Sequence, residues 1–76
     1  MSARYYVLVS DHLMVLDLQW PEGLRPVERA PAGPEASHGM HRWLFEDDGA
    51  SPSLEGHLVE LTFSDGGASY GRRMVG

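Results

Sequence analysis

The stretch "HLVELTFSDGGASYGRRMV", residues 57–75, decides the fold of this 76-residue chain. Residues 57–64 alternate apolar with polar side chains, and this period of two is typical of a strand with one buried face. Asp65-Gly66-Gly67 then favours a hairpin turn, so residues 68–75 are predicted to return as the next strand. The residues that share a face are Val59, Leu61 and Phe63 in the first strand, and Tyr70, Arg72 and Met74 in the second.

Three segments upstream also have strand character. Residues 5–9 are aromatic and β-branched on both faces, and residues 41–46 place His41, Trp43 and Phe45 on one face. Residues 12–20 alternate as well, which predicts a strand with its even positions buried. The alternative for this last segment is a short helix over 11–19, because no Gly or Pro interrupts it.

Residues 21–39 hold four of the five prolines and three glycines. Proline removes a backbone donor, so this segment fits neither a central strand nor a long helix. We expect a loop, with a short edge strand near residues 24–30 in which Pro26 faces outward. A loop this long is either functional or a tolerated insertion, and the sequence does not choose between the two.

These patterns predict one small all-β domain over residues 1–76. The strands would form an antiparallel sheet of five or six strands, curled into a barrel or roll, with at most one short helical turn at residues 51–55. Since no helices are expected to cover an open sheet, its apolar face must be hidden by closure or by self-association.

Composition limits the functional classes. A chain this short builds a small core and often depends on a disulfide, a metal or a partner subunit. Cysteine is absent, so disulfides and thiolate metal sites are excluded. The net charge of −5, from eleven acids and six arginines, argues against nucleic acid as a partner. The absence of Lys, Asn and Ile indicates a bacterium with a GC-rich genome.

The amino-terminal residues do not resemble a targeting signal. The apolar run over residues 5–9 is followed at once by Ser10-Asp11-His12, and a secretory or membrane-spanning segment needs a longer stretch. We therefore expect a cytoplasmic protein that does not bind membranes.

Three histidines are the candidate ligands of a metal site. His12, His41 and His57 each begin a predicted strand on its inward face. If these strand starts met at one barrel rim, the three imidazoles would bind zinc, with Asp11 or water as fourth ligand. The alternative is that each histidine hydrogen-bonds locally, because neighbouring antiparallel strands start at opposite ends; no cofactor is then needed.

Catalytic patterns are not found. The acids of Glu46-Asp47-Asp48 precede a glycine and are expected to form a solvated turn. There is no Gly-x-Ser-x-Gly motif, and Ser10-Asp11-His12 are adjacent in sequence, which is the wrong geometry for a triad. We therefore expect no enzyme activity.

The remaining candidate is a protein-binding surface. Trp20 stands at the end of a predicted strand, where it is either an exposed interface anchor or a plug of the core. The sequence thus predicts a non-catalytic module that forms homo-oligomers or binds a protein partner; the alternative is a metal- or small-ligand-binding domain. The candidate interaction residues are Trp20, Pro21, Leu24, Pro26 and Val27.

Overall fold

The computed structural model describes residues 1–31 and 39–75. Within these ranges the chain forms five strands and three short 3₁₀ turns. The strands are β1 (Ala3–Ser10), β2 (Leu24–Ala30), β3 (Met40–Asp47), β4 (Val59–Ser64) and β5 (Ser69–Met74). The 3₁₀ turns are Val15–Asp17, Pro52–Leu54 and Asp65–Gly67. The chain is therefore mainly β, as predicted.

The first sheet has three antiparallel strands in the order β1-β3-β2. Register places Tyr5 opposite Phe45 and Val9 opposite His41, and these odd-numbered residues point to one side. Tyr5 and Phe45 are completely buried, so this side faces the core. The alternation predicted for residues 41–46 is confirmed, and it extends one step further, to Asp47.

The predicted edge strand at residues 24–30 is confirmed as β2. Its register on β3 shifts between Pro26 and Glu28, and such a bulge is typical of edge strands. Pro26, expected to face outward, is instead half-buried opposite Phe45. The cause is its spacing from buried Leu24, since residues two apart share a face. Residues 32–38 of the predicted loop lie outside the described residues.

The second sheet is the hairpin of β4 and β5, as the 57–75 pattern predicts. Its turn uses positive φ angles at Asp65 (53°), Gly66 (67°) and Gly67 (96°). Glycine adopts this region without steric cost, which explains why two glycines stand here. Val59 is buried and Leu61 half-buried, whereas Phe63, close to the turn, is 43% exposed.

Among the described residues, the backbones of the two sheets pair at one bridge, and the sheets are not closed into a barrel. A single parallel bridge links Tyr6 to Leu58, supported by a 2.9 Å hydrogen bond from the Tyr6 amide to the His57 carbonyl. The prediction of one sheet of five or six strands, curled into a barrel, is therefore wrong in its closure. Five strands do form among the described residues, but they are divided between two sheets.

The core lies between the sheets and under the segment that follows β1. Its fully buried apolar members come from four strands and from two connecting segments. They are Ala3, Tyr5, Val9, Val15, Leu24, Phe45, Ala50 and Val59.

Two further expectations are corrected. Residues 12–20, predicted as a strand, form a loop with the 3₁₀ turn Val15–Asp17, and the buried residue is odd-numbered Val15. The described residues contain three short helical turns instead of at most one, although the predicted turn near residue 52 is present with Ser51 as its cap. Within the described ranges, no helical segment has the length and apolar character needed to cross a bilayer.

Candidate functional site

An exposed apolar surface is formed by the loop that follows β1. Four large side chains project from it into solvent: Leu13, Met14, Leu16 and Leu18, with exposed fractions of 38%, 66%, 71% and 44%. We call these four residues the loop surface. Val15, in their midst, is only 2% exposed and fixes the segment to the core.

A groove of about 340 Å³ lies beside the loop surface. Residues 13–17 and Arg29 of β2 belong to its lining. His41 and Trp43, which are neighbours on the inward face of β3, contribute the remaining lining together with Asp11. The groove is thus partly apolar, with charges of both signs in its lining.

His41 is fixed in the groove by two hydrogen bonds. Its Nδ1 lies 2.7 Å from Asp11 Oδ1, and its Nε2 lies 2.8 Å from the indole Nε1 of Trp43. Because an indole nitrogen only donates, Nε2 must accept and carries no proton. The proton of the neutral ring is therefore on Nδ1, which donates to Asp11. Both ring nitrogens are engaged, so neither offers a free lone pair to a metal or a substrate proton.

The structure does not bring the three candidate metal ligands together. His41 is 4% exposed and belongs to the groove, whereas the side chains of His12 and His57 are exposed. His57 instead joins the sheets through its backbone carbonyl. In the part of the chain that the structure describes, no three His, Cys, Asp or Glu side chains form a group that would hold a metal ion.

Most of the predicted interaction residues belong to the core or its border. Trp20 is half-buried, donates from its indole to the Val15 carbonyl at 3.0 Å, and packs edge-on against Phe45 at 4.9 Å. Leu24 is 2% exposed, while Val27 at the bulge is 40% exposed. Pro21 and Pro26 are half-buried. Trp20 therefore packs against the core with part of its surface exposed, and a partner contact by this set stays a prediction.

A buried ion pair joins the two sheets. Asp47 is fully buried, and Arg72 of β5 donates to both of its oxygens, from Nε at 2.5 Å and from Nη2 at 2.8 Å. Tyr5 and Tyr70 donate their hydroxyls to the same carboxylate at 2.5 and 3.1 Å. Gly49 donates its amide at 3.0 Å, and a β-carbon at this glycine would lie 2.9 Å from the Arg72 guanidinium.

These contacts shift the titration of the whole cluster. Burial alone would raise the pKa of Asp47, but the hydrogen bonds from Arg72 and Tyr5 outweigh it and lower the pKa to about 2. Burial and the neighbouring carboxylate raise the pKa of Tyr5 and, in the same direction, that of Tyr70. Asp47 is therefore ionised and both phenols are protonated at neutral pH, which suits a structural link better than acid–base chemistry.

The expectation of a solvated acidic turn is wrong for one of its three residues. Asp48 is exposed and Glu46 half-buried, and both pair with Arg25, at 2.9 and 2.7 Å. Asp47 lies in the core instead. The signal for this was available, because Asp47 continues the inward series of odd residues in β3.

The groove was not predicted from sequence, since it depends on the loop at residues 11–17 folding back over β3. A comparison with known proteins adds no relative: no family model, no curated protein and no solved structure matches the chain.

Proposed function

We propose that this protein is a non-catalytic interaction module that self-associates through the loop surface. The observation that carries the proposal is the exposure of Leu13, Met14, Leu16 and Leu18 within six consecutive residues. Single exposed apolar side chains are ordinary on protein surfaces, but contiguous apolar patches mark interaction sites. Met is common at such sites, because its unbranched side chain adapts to the partner.

The size of the domain supports self-association. A chain of this length buries a small core, and the described sheets are not closed, so a second copy would cover apolar surface that the fold leaves open. A standard interface takes about 800 Å² from each partner, which is roughly one sixth of the 4948 Å² that the protein exposes. The loop surface and the adjoining groove would form the centre of such an interface.

The alternative, a metal- or small-ligand-binding domain, has less support. The groove volume of about 340 Å³ is at the lower end of ligand pockets. Its histidine, however, already uses both nitrogens. We further propose that the protein acts in the cytoplasm of a bacterium with a GC-rich genome. Neither nucleic acid nor a membrane is proposed as its partner.

The test is the oligomeric state of two matched variants, measured by analytical ultracentrifugation over a range of concentrations. Met14→Glu places a charge in the proposed interface, and we expect it to weaken self-association at least tenfold, because a buried unpaired carboxylate is costly. Met74→Glu is the control, since Met74 is also exposed, at 45%, but lies on β5.

Circular dichroism establishes that both variants keep the fold. A wild-type protein that stays monomeric at about 100 µM, a concentration that still populates weak complexes, would overturn the proposal. Equal effects of the two substitutions on self-association would show that the loop surface is not the interface.

A further inference from the structure

Most arginines of this chain have a carboxylate partner within it. Within the described ranges, four arginines form five ion pairs: Arg4 with Glu46, Arg25 with Glu46 and with Asp48, Arg72 with Asp47, and Arg73 with Glu60. Arg42 is held differently, by the Pro31 carbonyl at 2.9 Å and by the ring of Tyr6. The protein therefore uses its few cations for internal contacts.

Arg29 is the exception among the six. It is exposed, and no residue of the described ranges forms an ion pair or a side-chain hydrogen bond with it. Asp17, at the end of the 3₁₀ turn, is exposed and has no such contact within the same ranges either. Both residues line the groove beside the loop surface, and they are not within ion-pair distance of each other.

This arrangement is self-complementary. In a two-fold dimer the same surface meets itself, so each contact between two different residues occurs twice. A surface with one charge sign at its border would repel its own copy. Here the lining has a cation, Arg29, on β2 and an anion, Asp17, on the loop, with Asp11 as a second acid. A two-fold rotation can place Arg29 of one copy opposite Asp17 of the other.

On the basis of the proposed self-association, we propose that the partner is a second copy bound in two-fold symmetry. Asp17 of each copy then pairs with Arg29 of the other. The two ion pairs lie at the border of the apolar contact and fix its orientation, since charges at an interface border contribute more to specificity and to association rate than to affinity.

Local pairing of this kind is needed because each copy has a net charge of −5. Two anionic proteins repel, but at physiological salt this repulsion falls off over about 8 Å. Opposite charges placed directly across the interface act within that distance. Salt therefore weakens the general repulsion between the two copies more than it weakens these direct contacts.

The experiment reverses the charges one at a time and then together. Asp17→Arg leaves two cations facing each other, and Arg29→Asp leaves two anions, so we expect each variant to self-associate about tenfold more weakly. An equimolar mixture of the two should form heterodimers, since each cation again meets an anion. The double variant, with both charges exchanged, should regain self-association. Native mass spectrometry distinguishes the species by mass.

The control is the exposed pair of Arg73 and Glu60 on the hairpin, which are 3.0 Å apart. Glu60→Arg and Arg73→Glu change the net charge by the same amounts outside the groove, and their mixture should show no preference for heterodimers. If a reversed variant fails to fold, Asp17→Asn and Arg29→Gln replace it, and each should weaken self-association less than the reversal does.

The outcomes separate the two proposals. A monomeric wild type overturns both. A wild-type dimer whose groove variants behave like the hairpin controls overturns the Asp17–Arg29 pairing and leaves self-association standing. Heterodimers from the groove mixture, with none from the control mixture, are the result expected.

Discussion

The Asp47 carboxylate is held by side chains from both sheets, because Tyr5 belongs to β1 and Tyr70 and Arg72 belong to β5. In the described chain no buried side-chain polar atom lacks a hydrogen-bond partner, so the cost of burying this charge is offset by five contacts. Removing one partner of a buried ion pair lowers stability much more than replacing both partners with apolar residues, because the remaining charge is left without compensation.

Asp47→Asn tests this role. The amide keeps the size of the side chain but leaves the Arg72 guanidinium without its counter-charge. We expect the free energy of unfolding to fall by about 3 kcal/mol, a large part of the roughly 4–11 kcal/mol that a domain of this size possesses. Urea unfolding followed by tryptophan fluorescence measures the change.

Asp48→Asn is the matched control for that experiment. Asp48 is the next residue in the chain and also pairs with an arginine, Arg25 at 2.9 Å, but it is exposed to solvent. Exposed pairs contribute little to stability, so its loss should be barely detectable. Similar effects of the two substitutions would show that the burial of Asp47 does not determine its contribution.

The role of His41 depends on neighbours that its position in the sequence does not reveal. The strand pattern correctly places it on the inward face of β3, close to Trp43. That Asp11 would reach its Nδ1 depends on how the chain turns after β1, and no local signal specifies this. The pattern therefore predicts the face on which His41 lies but not the partner of its Nδ1.

At the scale of elements, the strands bounded by the clearest turn signals were predictable. β3, β4 and β5 combine an alternating pattern with a glycine-containing turn, and these two signals act together. Residues 12–20 alternate equally well, yet they form a loop in which even-numbered Met14 and Leu16 are exposed. Alternation shows that apolar residues recur, but it does not show that they are buried. Where apolar residues are exposed in a loop, the same pattern wrongly predicts a half-buried strand.

The loop after β1 is held by the buried side chain of Val15, by the indole hydrogen bond of Trp20 and by the contact of Asp11 with His41. The contribution of Val15 is open to a direct test. Val15→Ala removes two methyl groups from the core and should lower the free energy of unfolding by about 1.5 kcal/mol. Leu16→Ala, one residue on, removes an exposed side chain and should change it by less than about 0.5 kcal/mol.

Chemical denaturation of the two variants, at concentrations where the protein is monomeric, makes the comparison. Equal losses would mean that the loop is not fixed through Val15, and the loop surface would then have no defined shape to present to a partner.

At the scale of the whole molecule, two small sheets share one core, and in the described part of the chain a single backbone bridge, between Tyr6 and Leu58, connects them. Sequence patterns predict strands one at a time, whereas closure depends on how far two distant strands stay in register. Here β1 pairs with the residue before β4 at one position and the strands then separate, so the barrel does not close. The loop after β1 and the Asp47 cluster then complete the core.

Because Asp47 links the sheets, its titration should govern how the whole molecule responds to acid. Its pKa is about 2 in the folded protein against the usual 3.8, so the unfolded chain binds the proton more tightly. Stability is therefore fully present above the unfolded value and is lost as pH falls from about 4 through 2. The shift corresponds to about 2 kcal/mol.

We expect the stability difference between the wild type and Asp47→Asn to be largest above roughly pH 5 and to shrink towards pH 2, because a protonated aspartate resembles an asparagine. Urea midpoints of both proteins at a series of pH values give this difference directly. Comparing the two proteins cancels the contributions of other groups, such as Glu46 and Asp48, whose pKa values are also lowered by Arg25. A difference that stays constant over this range would mean that the charge on Asp47 does not hold the sheets together.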